Sequence, residues 1–131
     1  MIESAFPILE VSDLPRALEF YCDAFGAELV YRFPDAGEPV YVSLKAGSSS
    51  LGIGLAEDAA PGVPSNLLLW FYVDDVDRVA RELTAAGATM LEEPVDQPWG
   101  ERVAFVADPF GTRVRLATMP QAVASQPAAE E

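Results

Sequence analysis

The chain says much the same thing twice. "ILEVSDLPRALEFYCDAFGAELV" and "LWFYVDDVDRVARELTAAGATML" each carry an apolar run ending in Val, an acidic turn, a stretch of helical period and a Gly-Ala stop. Asp13 and Asp75 lie 62 residues apart, as do Arg16 and Arg78, and Gly26 and Gly87 lie 61 apart. The later parts also match, because "YVSLKAGSSSLGIGL" from Tyr41 lies over "RVAFVADPFGTRVRL" from Arg102, again at an offset of 61. Such a repeat means two copies of one supersecondary unit. One copy is too small to cover its own sheet, so the halves are expected to pack together or to exchange partners between chains.

The local chemistry defines the elements. Ser12 or Asp13 is a good N-cap with Pro15 in the first turn, and Leu14, Ala17, Leu18, Tyr21 and Phe25 recur at helical spacing until Gly26. This spacing predicts a helix from about Leu14 to Phe25. Asp74 or Asp75 caps a second helix with Val76, Val79, Ala80 and Leu83 on one face and Gly87 as its stop. "AFPILEV" and "LLLWFYV" read as strands, and "GSSS" and "DPFG" as turns between short strands. Each half is then βαβββ, an α+β arrangement, with repeats at about 5–56 and 67–118 joined by "EDAAPGVPSN". With 131 residues, half of them apolar, residues 1–118 are expected to form a single domain. The tail, residues 119–131, lacks an apolar period and is expected to be disordered.

Several function classes are excluded or disfavoured. The formal charge of −13 repels nucleic acid and anionic membrane surfaces, and its ordinary consequence is solubility. No apolar run is long enough to span a bilayer and "MIESAFPILE" is not a signal peptide, so a cytoplasmic location is expected. There is no histidine, which rules out Ser-His-Asp and Cys-His catalysis, and the lone Cys22 reads as an inert thiol. "GSSSLGIG" lacks the lysine of a phosphate loop and leads into a strand.

With "VSDLPRALEFY" in the first half and "DPFGTRVRL" closing the second, the βαβββ repeat resembles the vicinal oxygen chelate superfamily of glyoxalases, ring-cleaving dioxygenases and antibiotic-binding proteins. "FPILEVSDLPRALEFY", "NLLLWFYV" and "QPWGERVAFVADPFG" are similar to the bleomycin-resistance proteins within it. The resemblance covers about Ala5 to Thr118 and implies a concave mixed sheet or partial barrel. It also implies metal ligands on the first and last strands of each half. Carried over, those positions are Phe6 and Leu68, and Gly54 and Arg115, which the repeat pairs in the same way at offsets of 62 and 61. None offers a lone pair to a divalent metal, and a guanidinium would repel one. No metal and no cofactor is therefore expected, and metal-dependent glyoxalase or dioxygenase chemistry is disfavoured.

Residues two apart on a strand share a face. The face around those four positions thus reads Phe6, Ile8, Gly52, Gly54, Leu68, Trp70, Tyr72, Arg113 and Arg115, apolar and aromatic with two cations at one side. Trp70 and Tyr72 stand where bleomycin-resistance relatives carry aromatic residues, which implies stacking on a flat conjugated ligand. Ordinary core is the competing reading for Trp70. Gly52 and Gly54 leave room for a ligand. Trp99, between Pro98 and Gly100, is expected at a pocket rim or dimer groove. Tyr31, Phe33 and Tyr41 lie in or beside the loop "YRFPDAGEPVY", which either covers a groove or packs. Arg113 and Arg115 either pair with carboxylates such as Glu10 or Glu101, or Arg115 recognises a polar group on a ligand. Glu10, Asp13, Asp74, Asp75 and Asp77 could attract a cationic drug, although helix capping accounts for most of them.

The expected function is non-enzymatic binding and sequestration of a planar aromatic small molecule or antibiotic by a homodimer. The alternatives are a metal-independent enzyme of the same fold acting on a small carbonyl-containing metabolite, and a dimeric interaction module with a filled cavity.

Overall fold

The structure is a computed structural model describing residues 1–59 and 67–118. Most of the connector "EDAAPGVPSN" and the expected disordered tail lie outside the described residues. The chain divides into two compact units, Met1–Pro61 and Gly62–Glu131.

In the first unit, β1 (Ile8–Val11) leads into α1 (Leu14–Leu18), followed by β2 (Glu28–Phe33), β3 (Tyr41–Ala46) and β4 (Ser49–Leu55). In the second, β5 (Leu69–Tyr72) leads into α2 (Val76–Ala85), β6 (Thr89–Asp96), β7 (Arg102–Ala107) and β8 (Arg113–Ala117). Each unit is the βαβββ module read from the repeat. The strand orders correspond, β1-β4-β3-β2 and β5-β8-β7-β6, with the first strand parallel to the last and the other pairs antiparallel. These are two four-stranded mixed sheets, neither closed into a barrel.

The caps follow the sequence closely. Asp13 accepts a hydrogen bond from the backbone N–H of Arg16 at 3.1 Å, and Asp75 does the same for Arg78 at 3.0 Å. Each thereby satisfies a backbone donor that the first turn leaves without a helical partner. Gly26 and Gly87 end the helical segments at φ +90° and +114°, a backbone region that costs a residue with a Cβ more than it costs glycine. The helix expected over Leu14–Phe25 is α-helical only to Leu18 and continues as a π-helical stretch, Glu19–Ala24. Phe25 N–H bonds five residues back to the carbonyl of Phe20. The widened turn accompanies burial of two consecutive aromatic residues, Phe20 and Tyr21, whose rings meet edge to face 5.0 Å apart.

One face of each sheet carries the core. Leu9, Val11, Val42, Leu44, Leu51 and Ile53 alternate inward on β1, β3 and β4 and are buried, as are Leu14, Ala17, Phe20 and Tyr21 of the helical segment. In the second unit α2 packs against β6, β7 and β8 through Val76, Val79, Ala80 and Leu83, with Ala104, Val106, Val114 and Leu116 buried on the sheet. Arg102 binds α2 to the sheet margin, donating from Nε to Asp77 at 2.6 Å and from Nη1 to Asp96 at 3.0 Å.

Candidate functional site

Alternation leaves a second, helix-distal face on each sheet, and cross-strand register shows which side chains share it. In the first unit one row is Ile8, Gly52, Ser43 and Tyr31, and the next is Glu10, Gly54, Tyr41 and Phe33. In the second unit the corresponding rows are Trp70, Arg115, Phe105 and Glu92, then Tyr72, Ala117, Val103 and Val95. Trp70 and Tyr72 are 41% and 46% exposed, so the competing reading of Trp70 as ordinary core is not what the structure shows. Their rings meet edge to face 6.2 Å apart. Phe6 and Leu68 are also exposed but precede the strands, which begin at Ile8 and Leu69.

The rows correct the pairing of Gly54 with Arg115. Trp70 is the partner of Arg115, and its counterpart Ile8 is the partner of Gly52. Gly52 is therefore the position that corresponds to Arg115. The two hairpins differ in length: Ala46 faces Ser49 across a two-residue turn whose first residue, Gly47, has φ +60°, whereas Ala107 faces Arg113 across five residues. A constant offset of 61 slides the last strand by two residues, which keeps the face and changes the row.

The room attributed to Gly52 is occupied. A Cβ placed there would lie 2.5 Å from the Tyr41 hydroxyl and 3.1 Å from Cγ1 of Ile8. A Cβ on Gly54 would meet the same ring at 3.9 Å. Tyr41 thus lies across both glycines. Tyr31 and Phe33, read as parts of a covering loop, belong to β2, and Tyr41 opens β3; all three are on the sheet face. The Tyr31 and Tyr41 rings are 6.3 Å apart, and Arg32 ties down the intervening loop by donating from Nε to the carbonyl of Pro34 at 3.0 Å.

The arginines do pair, but not with the expected carboxylates. Arg115 lies over the Phe105 ring, 4.1 Å from its centroid, and donates to Glu92 at 3.1 Å. Arg113 donates to the carbonyl of Leu67 at 2.7 Å. Glu101, only 5% exposed, instead accepts from the indole N–H of Trp99. Sequence reasoning missed Glu92, Phe105 and the Trp99–Glu101 contact, because each depends on strand register or loop closure. Trp99 is 60% exposed, in a hairpin loop held by hydrogen bonds from Gln97 N–H to Glu101 O and from Gly100 N–H to Gln97 O.

The remaining candidates have structural roles. Asp74 pairs with Arg78 at 2.8 Å and Asp77 with Arg102, and hydrogen bonds from these arginines hold both carboxyls below the ordinary Asp value. Burial pushes the Cys22 thiol up and neighbouring Asp23 adds to the effect, the opposite of what a nucleophile needs. Among the described residues, no three His, Cys, Asp or Glu side chains form a group that could hold a metal ion. A metal of the kind the family's enzymes use does not fit the residues at the ligand positions.

A model of the Glyoxalase/Bleomycin resistance protein/Dioxygenase superfamily matches residues 6–116. The Mycobacterium bovis protein named "Putative glyoxylase CFP32" is 42% identical over 71 residues, 54% of this chain but 27% of that protein. This chain therefore spans well under two thirds of that relative. "Uncharacterized protein Mb0911c" of the same organism is 32% identical over 117 residues, covering 80% of this chain and 76% of the relative. Among solved structures, a glyoxalase-related enzyme from Fulvimarina pelagi superposes with a TM-score of 0.74 at 24% identity, over 91% of this chain and 89% of that one, which speaks to fold alone. With the repeated module, its strand order and the family match in agreement, the chain belongs to the glyoxalase/bleomycin resistance protein/dioxygenase superfamily.

Proposed function

We propose that the protein binds and sequesters a flat aromatic small molecule without transforming it, and does so as a homodimer. The observation that carries this reading is the helix-distal face of the second sheet. There Trp70 and Tyr72 present half-exposed rings beside Arg115, one of the positions at which the resemblance to the family implies a metal donor. Large aromatic surfaces left open to solvent are costly unless something covers them, and stacking on a conjugated ring is what they do best. The alternative is a metal-independent enzyme using Arg115 or a tyrosine to polarise a carbonyl, and its Arg115 form is weakened because that guanidinium is already stacked on Phe105 and paired with Glu92.

The chain has two tryptophans, Trp70 and Trp99, so each can be isolated by changing the other to Phe. Titration of both single-tryptophan proteins with a panel of planar heteroaromatic compounds is expected to quench Trp70 emission saturably, with no product formed. Trp99→Ala is expected to weaken binding about tenfold or more, as loss of a stacking wall would. Full affinity in both Trp70→Phe and Trp99→Ala, or steady turnover of the compound, would overturn the reading.

A further inference from the structure

The loop between β6 and β7 reverses the usual order of burial. Glu101 is 5% exposed while Trp99, two residues earlier, is 60% exposed, although carboxylates are among the side chains least often buried without a partner. Burying a carboxylate is costly unless a donor meets it, and the donor that meets this one is the indole N–H of Trp99. Arg102, the adjacent cation in sequence, is spent on Asp77 and Asp96.

The backbone of the loop is closed without that contact. Gln97 N–H donates to the carbonyl of Glu101 at 2.7 Å and Gly100 N–H to that of Gln97 at 3.0 Å. Below them Asp96 and Arg102 are register partners joined by an ion pair at 3.0 Å. These bonds fix where the Trp99 backbone stands and leave its side-chain torsions free. The Glu101 carboxylate fixes those. Alternation sets the side: Arg102 turns to Asp77 on α2, so Glu101 and Val103 point to the helix-distal side, where Val103 shares a row with Tyr72 through Ala117. The Nε1 edge of the indole is thereby pinned at the Tyr72 end of that face. Its N–H is used up, which leaves the ring faces for a ligand.

We infer that Glu101 is a positioning residue for Trp99: its buried carboxylate holds the indole in the orientation that stacks on the ligand, so the ring need not be ordered anew at each binding event. This rests on the reading of Trp99 as a stacking wall and adds what sets that wall. Both residues lie in the second unit.

Time-resolved fluorescence anisotropy of the Trp70→Phe protein, whose tryptophan emission comes from Trp99 alone, reads the orientation without any ligand. Glu101→Ala is expected to add a fast local depolarisation on the picosecond-to-nanosecond scale, and Glu101→Gln, which keeps an acceptor oxygen on the same frame, to leave the ring held. With Trp70 present, calorimetric titration with neutral acridine at pH 8 is expected to show about threefold to tenfold weaker binding in Glu101→Ala and recovery in Glu101→Gln. In Trp99→Phe, which has no N–H to hold, Glu101→Ala should cost no further affinity. A ring equally held in Glu101→Ala would overturn the assignment and leave the flat-ligand reading standing. A freed ring with unchanged affinity, or the same loss in Trp99→Phe, would also overturn it, making Glu101 part of the loop's packing only. If neither acridine nor any other planar compound of the panel binds the parent protein, both readings fall.

Discussion

Gly52 shows how one absent side chain sets a surface. Its missing Cβ is what lets Tyr41 lie flat on the sheet, and a methyl group there would meet the phenol at 2.5 Å. Gly52→Ala is therefore expected to cost about 1–3 kcal/mol by overpacking, read as a lower urea midpoint at unchanged slope. Adding Tyr41→Ala should restore part of the loss, because the clash goes with the ring. Asp108 makes the complementary case for a side chain that is present. It is buried, and its Oδ1 accepts from the N–H groups of Phe110 and Thr112 at 2.9 and 2.8 Å, closing the turn before β8. Asp108→Ala should cost about 1–3 kcal/mol in chemical denaturation, since it strips a charged acceptor from two backbone donors.

At the scale of elements, the start of α2 is fixed twice, by the Asp75 cap and by the bidentate grip of Arg102 on Asp77. The Asp77 carboxyl is held below its ordinary value of 3.8, first by the hydrogen bond from Arg102. A carboxyl with a depressed folded value contributes stability that is present above its unfolded value and lost as pH falls through the folded one. Melting temperature should thus decline below about pH 4, and less steeply in Asp77→Asn than in the parent, in thermal scans from pH 7 to pH 2. The helices and caps were legible in the sequence because they depend on neighbours three and four residues away. The π-helical turn was not, because it accompanies the joint burial of Phe20 and Tyr21, and helical spacing along the chain does not call for two consecutive buried aromatics.

For the whole molecule, the two cores are separate tests of the repeat. Leu44 lies in the first unit's core and Leu83 in the second's, both fully buried, and replacing either by Ala should cost about 2–5 kcal/mol. Sedimentation is expected to give twice the 14.1 kDa chain mass, and elemental analysis to find no stoichiometric zinc, nickel, iron or manganese. One metal per chain, lost on chelation together with ligand binding, would contradict the donor chemistry at Phe6, Gly52, Gly54, Leu68 and Arg115.

The sequence by itself determined the repeated βαβββ module, its capping residues, the family, and which residues alternate onto the helix-distal side. All of these follow from short-range periodicity and from matching one half of the chain against the other. Only the tertiary structure decided who stands beside whom on that side. It replaced Gly54 by Gly52 as the counterpart of Arg115, gave Arg115 to Glu92 and Phe105, and paired Glu101 with the indole of Trp99. The reason is that register between strands is set by hairpin length and hydrogen-bond pairing, and a turn longer by three residues shifts it while the alternation along each strand stays the same.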